Sequence, residues 1–127
     1  MKPKKYLGIL MGLLTMEFIL GMLVNLFGVD PGEGESPTII KMAFATHGII
    51  GLLLLIGGIW MAIFGLKATD KIVKKMALTA ALGILVAFAC GIATVSLQGP
   101  AREYASFAMA MGFLIAVSTT GRLISRV

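Results

Sequence analysis

The sequence predicts an all-α fold, a polytopic membrane four-helix bundle made of two hairpins with the N- and C-termini both on the cytoplasmic side. Composition carries the first step. Of 127 residues, 58% are apolar and 13% charged, whereas soluble domains run at about 45–50% and 25%. A chain this short buries only about two-thirds of its surface on folding. In water the surplus apolar surface would stay exposed and drive association, so hydrocarbon is the solvent that suits it. The second observation is four long apolar runs separated by short polar breaks, and the third is a one-sided distribution of lysine and arginine around them. The runs and their connections use nearly every residue, so 1–127 reads as a single transmembrane domain with no separate catalytic module.

The first run, Leu7 to Phe27, carries one ionisable residue, Glu17, and at 1.5 Å per residue it matches a hydrocarbon core of roughly 30 Å. It continues too far for a secretory signal, which places a cleavage site after a short apolar core, and is read as a retained span. Gly28 to Thr38 (GVDPGEGESPT) holds two prolines, three acids and three glycines, a composition that stops a helix and suits a solvated loop. The second span, Ile39 to Leu66, is apolar except for Lys41 and His47. Lys67 to Lys75 (KATDKIVKK) is expected to be a short basic connection, and Met76 to Leu97 the third span. Gln98 to Glu103 (QGPARE) places Gly99 beside Pro100, a strong breaker. The fourth span, Tyr104 to Gly121, carries Ser106, Ser118, Thr119 and Thr120, whose hydroxyls can bond back to carbonyls of their own helix.

Orientation follows from the retention of positive charge in the cytoplasm. Lys2, Lys4, Lys5, Lys67, Lys71, Lys74, Lys75, Arg122 and Arg126 fall on the side of the termini and the middle connection; only Lys41 and Arg102 fall on the other. Asp30, Glu33, Glu35 and Glu103 then face outward, and Tyr6 and Tyr104 sit at the interfaces, where aromatic belts form. The expected location is a prokaryotic cell membrane. The net charge of +5 is explained by these span ends. The basic residues form no continuous face, so no nucleic-acid partner is expected. Cys90 is the single cysteine, which excludes an intrachain disulfide framework.

The two hairpins echo one another. ILGMLVNL (Ile19 to Leu26) loosely repeats in ACGIATVSL (Ala89 to Leu97), and FATHGIIGLLLL from Phe44 can be laid over FAMAMGFLIA from Phe107. In that alignment His47 corresponds to Ala110.

Two ionisable residues lie deep in the apolar runs. An acid or base at mid-bilayer costs on the order of 2.5–3.5 kcal/mol on an insertion scale, and persists there mainly when it pairs or acts. Glu17 lies about 15 Å below Phe27 and His47 about 12 Å below Ile39 by the standard helical rise. The two are therefore at one depth on adjacent antiparallel helices, and one shared polar pocket is expected. Small and polar residues recur around it at four-residue spacing: Glu17, Gly21 and Asn25 on the first span, Ala43, His47 and Gly51 on the second. Glycines on such a face let helices approach closely. Gly83, Ala87, Cys90 and Thr94 form a small-residue stripe on the third span near the same level, a stripe that helix packing alone would explain. Glu17 can be a neutral acid bonded to a neighbouring helix, a proton relay, a cation site or a partner holding a histidine. His47 can be a neutral, hydrogen-bonded imidazole or an axial ligand to haem. Met109 and Met111, on the fourth span, are candidate second haem ligands, although methionine more often fills apolar space. Apart from haem iron on His47, no metal site and no catalytic residue is expected, and the chain carries no phosphate loop or nucleophilic triad.

HGIIGLLLLIGGIWMAIFGLK (His47 to Lys67), a basic turn, and KKMALTAALGILVAFACGIATV (Lys74 to Val95) together resemble the haem A synthase family, with LLTMEFILGMLVNL fitting the helix before them. The resemblance implies a four-helix unit in which His47 is one axial ligand of a haem. The family's second histidine is absent, Ala110 or a methionine standing where it would be expected, and Lys41 to Thr46 lacks the family's acid.

Three expectations follow. The chain is a haem-binding protein or part of a respiratory or haem-handling complex, with His47 supplied by one bundle or by two identical chains. Alternatively it is an oligomeric transporter or channel using Glu17 and His47 for protons or cations. Or it is a non-catalytic accessory subunit of a larger membrane complex, docked through its glycine seams.

Overall fold

The computed structural model describes residues 3–27 and 37–127. They form four helices: α1 (Pro3–Phe27), α2 (Thr38–Lys67), α3 (Lys71–Ser96) and α4 (Gly99–Ile124). No strand occurs among the described residues. All four helices are long and apolar enough to cross a membrane. Their outward faces carry Ile39, Leu52, Leu82, Val95, Phe107 and Leu114, each more than half exposed. An apolar outer surface of this kind is matched by lipid and not by water, and the expected all-α membrane bundle is the fold found. Of the acidic connection expected at 28–38, residues 28–36, with Asp30, Glu33 and Glu35, lie outside the described residues, as does Lys2, while Pro37 precedes α2 and Thr38 begins it.

Two of the expected connections are largely helix. Of Lys67 to Lys75 only Ala68 to Asp70 lie between helices. Asp70 Oδ1 accepts the backbone N–H groups of Ile72 at 2.7 Å and Val73 at 3.2 Å, and this cap supplies an acceptor to donors that have no partner within the helix. The lysines that follow are thus the first turns of α3. Likewise Gln98 to Glu103 is not a free turn: Gly99, at φ +59°, redirects the chain, and Pro100 enters the first turn of α4. A proline there forfeits only an N–H that would lack a helical acceptor anyway. Asp70→Ala is expected to lower bundle stability by about 1 kcal/mol, read as a shift in the detergent-unfolding midpoint.

The helices form a ring in chain order. α1 packs on α2 and α4, and α3 on α2 and α4, with no diagonal packing among the described residues. Successive helices run antiparallel: Gly21 meets His47, Gly58 meets Ile84, Gly83 meets Gly112, and Gly121 meets Met11. Both ends of the chain are therefore at one end of the bundle. Gly21 faces His47, and Gly91, which the loose internal alignment lays over it, faces Met109, the neighbour of Ala110.

The core is confined to the half of the bundle nearest the termini. Leu7, Leu10 and Leu14 of α1 pack with Leu54 and Met61 of α2, Ala77 and Ala80 of α3, and Ala116 and Leu123 of α4. Tyr6 ties this half together: its hydroxyl donates to Gly57 O at 3.1 Å, and its ring lies on Trp60, which stacks on Phe64. In the other half, over residues 17–27, 37–49 and 85–111, no described residue is buried.

Candidate functional site

Glu17 and His47 lie where these two halves meet, just beyond the buried Leu14 of α1 and Ile50 of α2. Their approach depends on two missing side chains. A Cβ at Gly51 would stand 3.1 Å from Glu17 Oε1, and a Cβ at Gly21 would stand 3.2 Å from His47 Cε1. Each polar residue thus faces a glycine, and each of those glycines follows the opposite polar residue by four positions, one helical turn. The arrangement is reciprocal because the helices are antiparallel.

His47 Nδ1 and Glu17 Oε1 are 3.1 Å apart, with the side chains 25% and 13% exposed respectively. The contact has ion-pair distance without an aligned N–H···O hydrogen bond, and Glu17 Oε2 is buried with no hydrogen-bond partner. Phe88 of α3 closes one side, 4.0 Å from the Cβ position of Gly51. At the same level Phe18 of α1 and Phe113 of α4 stack with centroids 5.6 Å apart. An imidazole beside a carboxylate in an apolar surround can hold one proton between them. It can also present Nε2 to a metal while the carboxylate steadies the ring. Among the described residues no group of three His, Cys, Asp or Glu side chains gathers to hold a metal ion.

The remaining candidates are not gathered here. Asn25 is exposed, and at about 12 Å along α1 from Glu17 it does not join the pocket in which it was expected; four-residue spacing drifts around a 3.6-residue helix. Cys90 is a half-buried free thiol. Thr94 Oγ1 donates to Gly91 O at 2.7 Å, so its hydroxyl is used within α3. Met109 packs on Gly91, with Sδ 3.4 Å from the Cβ position. Met111 is 42% exposed and lines a groove on the outward side of α3 and α4, away from His47. Of the hydroxyls expected to bond back, Thr119 does so, to Ile115 O at 2.6 Å. Thr120 does not: it is fully buried and its Oγ1 has no partner.

Comparison of the chain with protein-family models, with curated proteins and with solved structures finds no match.

Proposed function

We propose that this integral membrane protein is a small four-span subunit whose working element is the Glu17–His47 pair. The pair holds a proton or cation at mid-bilayer for transport within an oligomer or a larger membrane complex. The observation that carries the reading is the buried, unpartnered Glu17 Oε2 beside the His47 imidazole. A pair kept only to fix helix register would be expected to satisfy both carboxylate oxygens, as buried polar atoms generally are. Its position supports the same reading. Among the described residues the half beyond the pair holds no buried residue, while Leu10, Leu14, Leu54 and Met61 pack the other. With positive charge retained inside, the closed half is cytoplasmic and the loose half faces outward. One bundle has no passage through its packed half, so transfer across the membrane requires neighbouring chains. Proteoliposomes holding a pH-sensitive dye test this: the wild-type chain should dissipate a proton gradient and Glu17→Gln should fall to the level of empty vesicles. Equal flux from both would reject the reading.

A second reading, haem ligation, is favoured by one feature of the same site. The carboxylate lies at Nδ1, leaving Nε2 of His47 to bind iron with its ring oriented by a carboxylate, as metal-bound histidines usually are. The second ligand to the iron would come from His47 of a second copy. A reduced-minus-oxidised spectrum of the purified protein decides it: a haem band lost in His47→Ala supports ligation, and a band unchanged by that substitution removes it.

A further inference from the structure

We propose that the outward groove between α3 and α4 is a binding site for one anionic phospholipid, independent of the Glu17–His47 pair. At the terminal end of the bundle Lys71, Lys74 and Lys75 are exposed on one side of α3, above Leu78, Thr79 and Leu82. Thr79 and Leu82 also belong to an apolar groove that continues along the α3–α4 seam past Val86 and Met111. Gly83 and Gly112 form its floor, since neither carries a side chain and their backbones are in contact. The lysine patch and the groove are therefore one continuous surface, cationic at the membrane face and apolar below it.

Charge and length both identify the occupant. Arg122 shares a face of α4 with Met111 and Ile115 by helical spacing, and it is exposed at the same end as the three lysines. Asp70, the nearby acid, has its carboxylate engaged in capping α3. The mouth thus presents four cations at the level of lipid phosphates, where basic side chains attract anionic headgroups. From Lys75 to Val86 the groove descends about 16 Å, half of a hydrocarbon core of roughly 30 Å. That is the depth of one leaflet and suits an acyl chain hanging from a phosphate held by the lysines. A transmembrane helix of a partner would need no such cationic mouth.

Native mass spectrometry of the full chain in mild detergent, titrated with phosphatidylglycerol or phosphatidylcholine of identical acyl chains, tests the site. Phosphatidylglycerol should be retained preferentially. Lys74→Gln with Lys75→Gln should weaken its retention on the order of tenfold, while the charge-matched Lys4→Gln with Lys5→Gln leaves it unchanged. Ala108→Phe, which fills the groove without altering charge, should also weaken it, and inorganic phosphate should not compete. Equal retention of the two lipids, equal effects of the two lysine pairs, or full retention by Ala108→Phe would each overturn the proposal. Circular dichroism of each variant checks that helix content is kept.

Discussion

Gly83→Leu is expected to abolish the folded bundle, and Gly83→Ala to cost it about 1–3 kcal/mol, the usual range for overpacking a close contact. At Gly83 a single added Cβ would lie 2.7 Å from Gly112 O and 2.9 Å from Ala116 N; at Gly112 it would lie 2.8 Å from Gly83 O and 2.9 Å from Ala87 N. These obstacles are backbone atoms, which cannot rotate aside as a side-chain tip can. The only relief is to move α3 from α4, and that separates the closest helix pair in the ring. Lipid tails are as apolar as the side chains, so close packing and not hydrophobic burial drives helix association in a membrane. The crossing is therefore worth more here than a glycine seam would be in water. Gly12 is the internal control: nothing lies within 4 Å of a Cβ there, and Gly12→Ala should be neutral or gain up to about 1 kcal/mol from helix propensity. Detergent-induced unfolding followed by Trp60 fluorescence measures all three variants. A Gly83→Leu protein with the wild-type midpoint would mean that the helices do not cross at these glycines.

Much of this was legible from residue order, for identifiable reasons. Long apolar runs read as spans because the bilayer sets a length. The approach of Glu17 to His47 was accessible because two depths and one short connection determine it. Helix starts were harder. The lysines before Met76 and the residues after Pro100 read as connections because charge and proline are breakers in general, while Asp70 and Gly99 turn them into helix starts through local geometry. Which glycine meets which backbone was not legible either. The stripe containing Gly83 and Ala87 could be read on α3, but Gly112 lies between Met111 and Phe113 in a stretch of helix apolar all round, whose rotation about its axis is set only by tertiary packing. That rotation of α4 carries Met111 to the lipid side, and the rotation of α1 leaves Asn25 exposed. Confinement of the core to one half could not be read at all, since both halves are equally apolar.

The Glu17–His47 pair itself should behave as a unit in a double-mutant cycle. His47→Leu leaves a lone acid in hydrocarbon and is expected to destabilise the bundle by about 2–3 kcal/mol, near the insertion cost of one mid-bilayer acid. Glu17→Met, which keeps the unbranched shape that fits against Gly51, should also destabilise it, by leaving a lone imidazole without its partner. Combining the two removes both polar groups, and the double variant should recover to within about 1 kcal/mol of wild type, since buried ion pairs are often replaceable by apolar residues without loss. Unfolding midpoints of the four proteins give the coupling energy, and strictly additive losses would show that the two side chains do not interact. The cycle also separates function from architecture. A double variant that is stably folded but carries no proton flux means that the pair is kept for what it binds; one that folds poorly means that the contact is needed to hold α1 against α2.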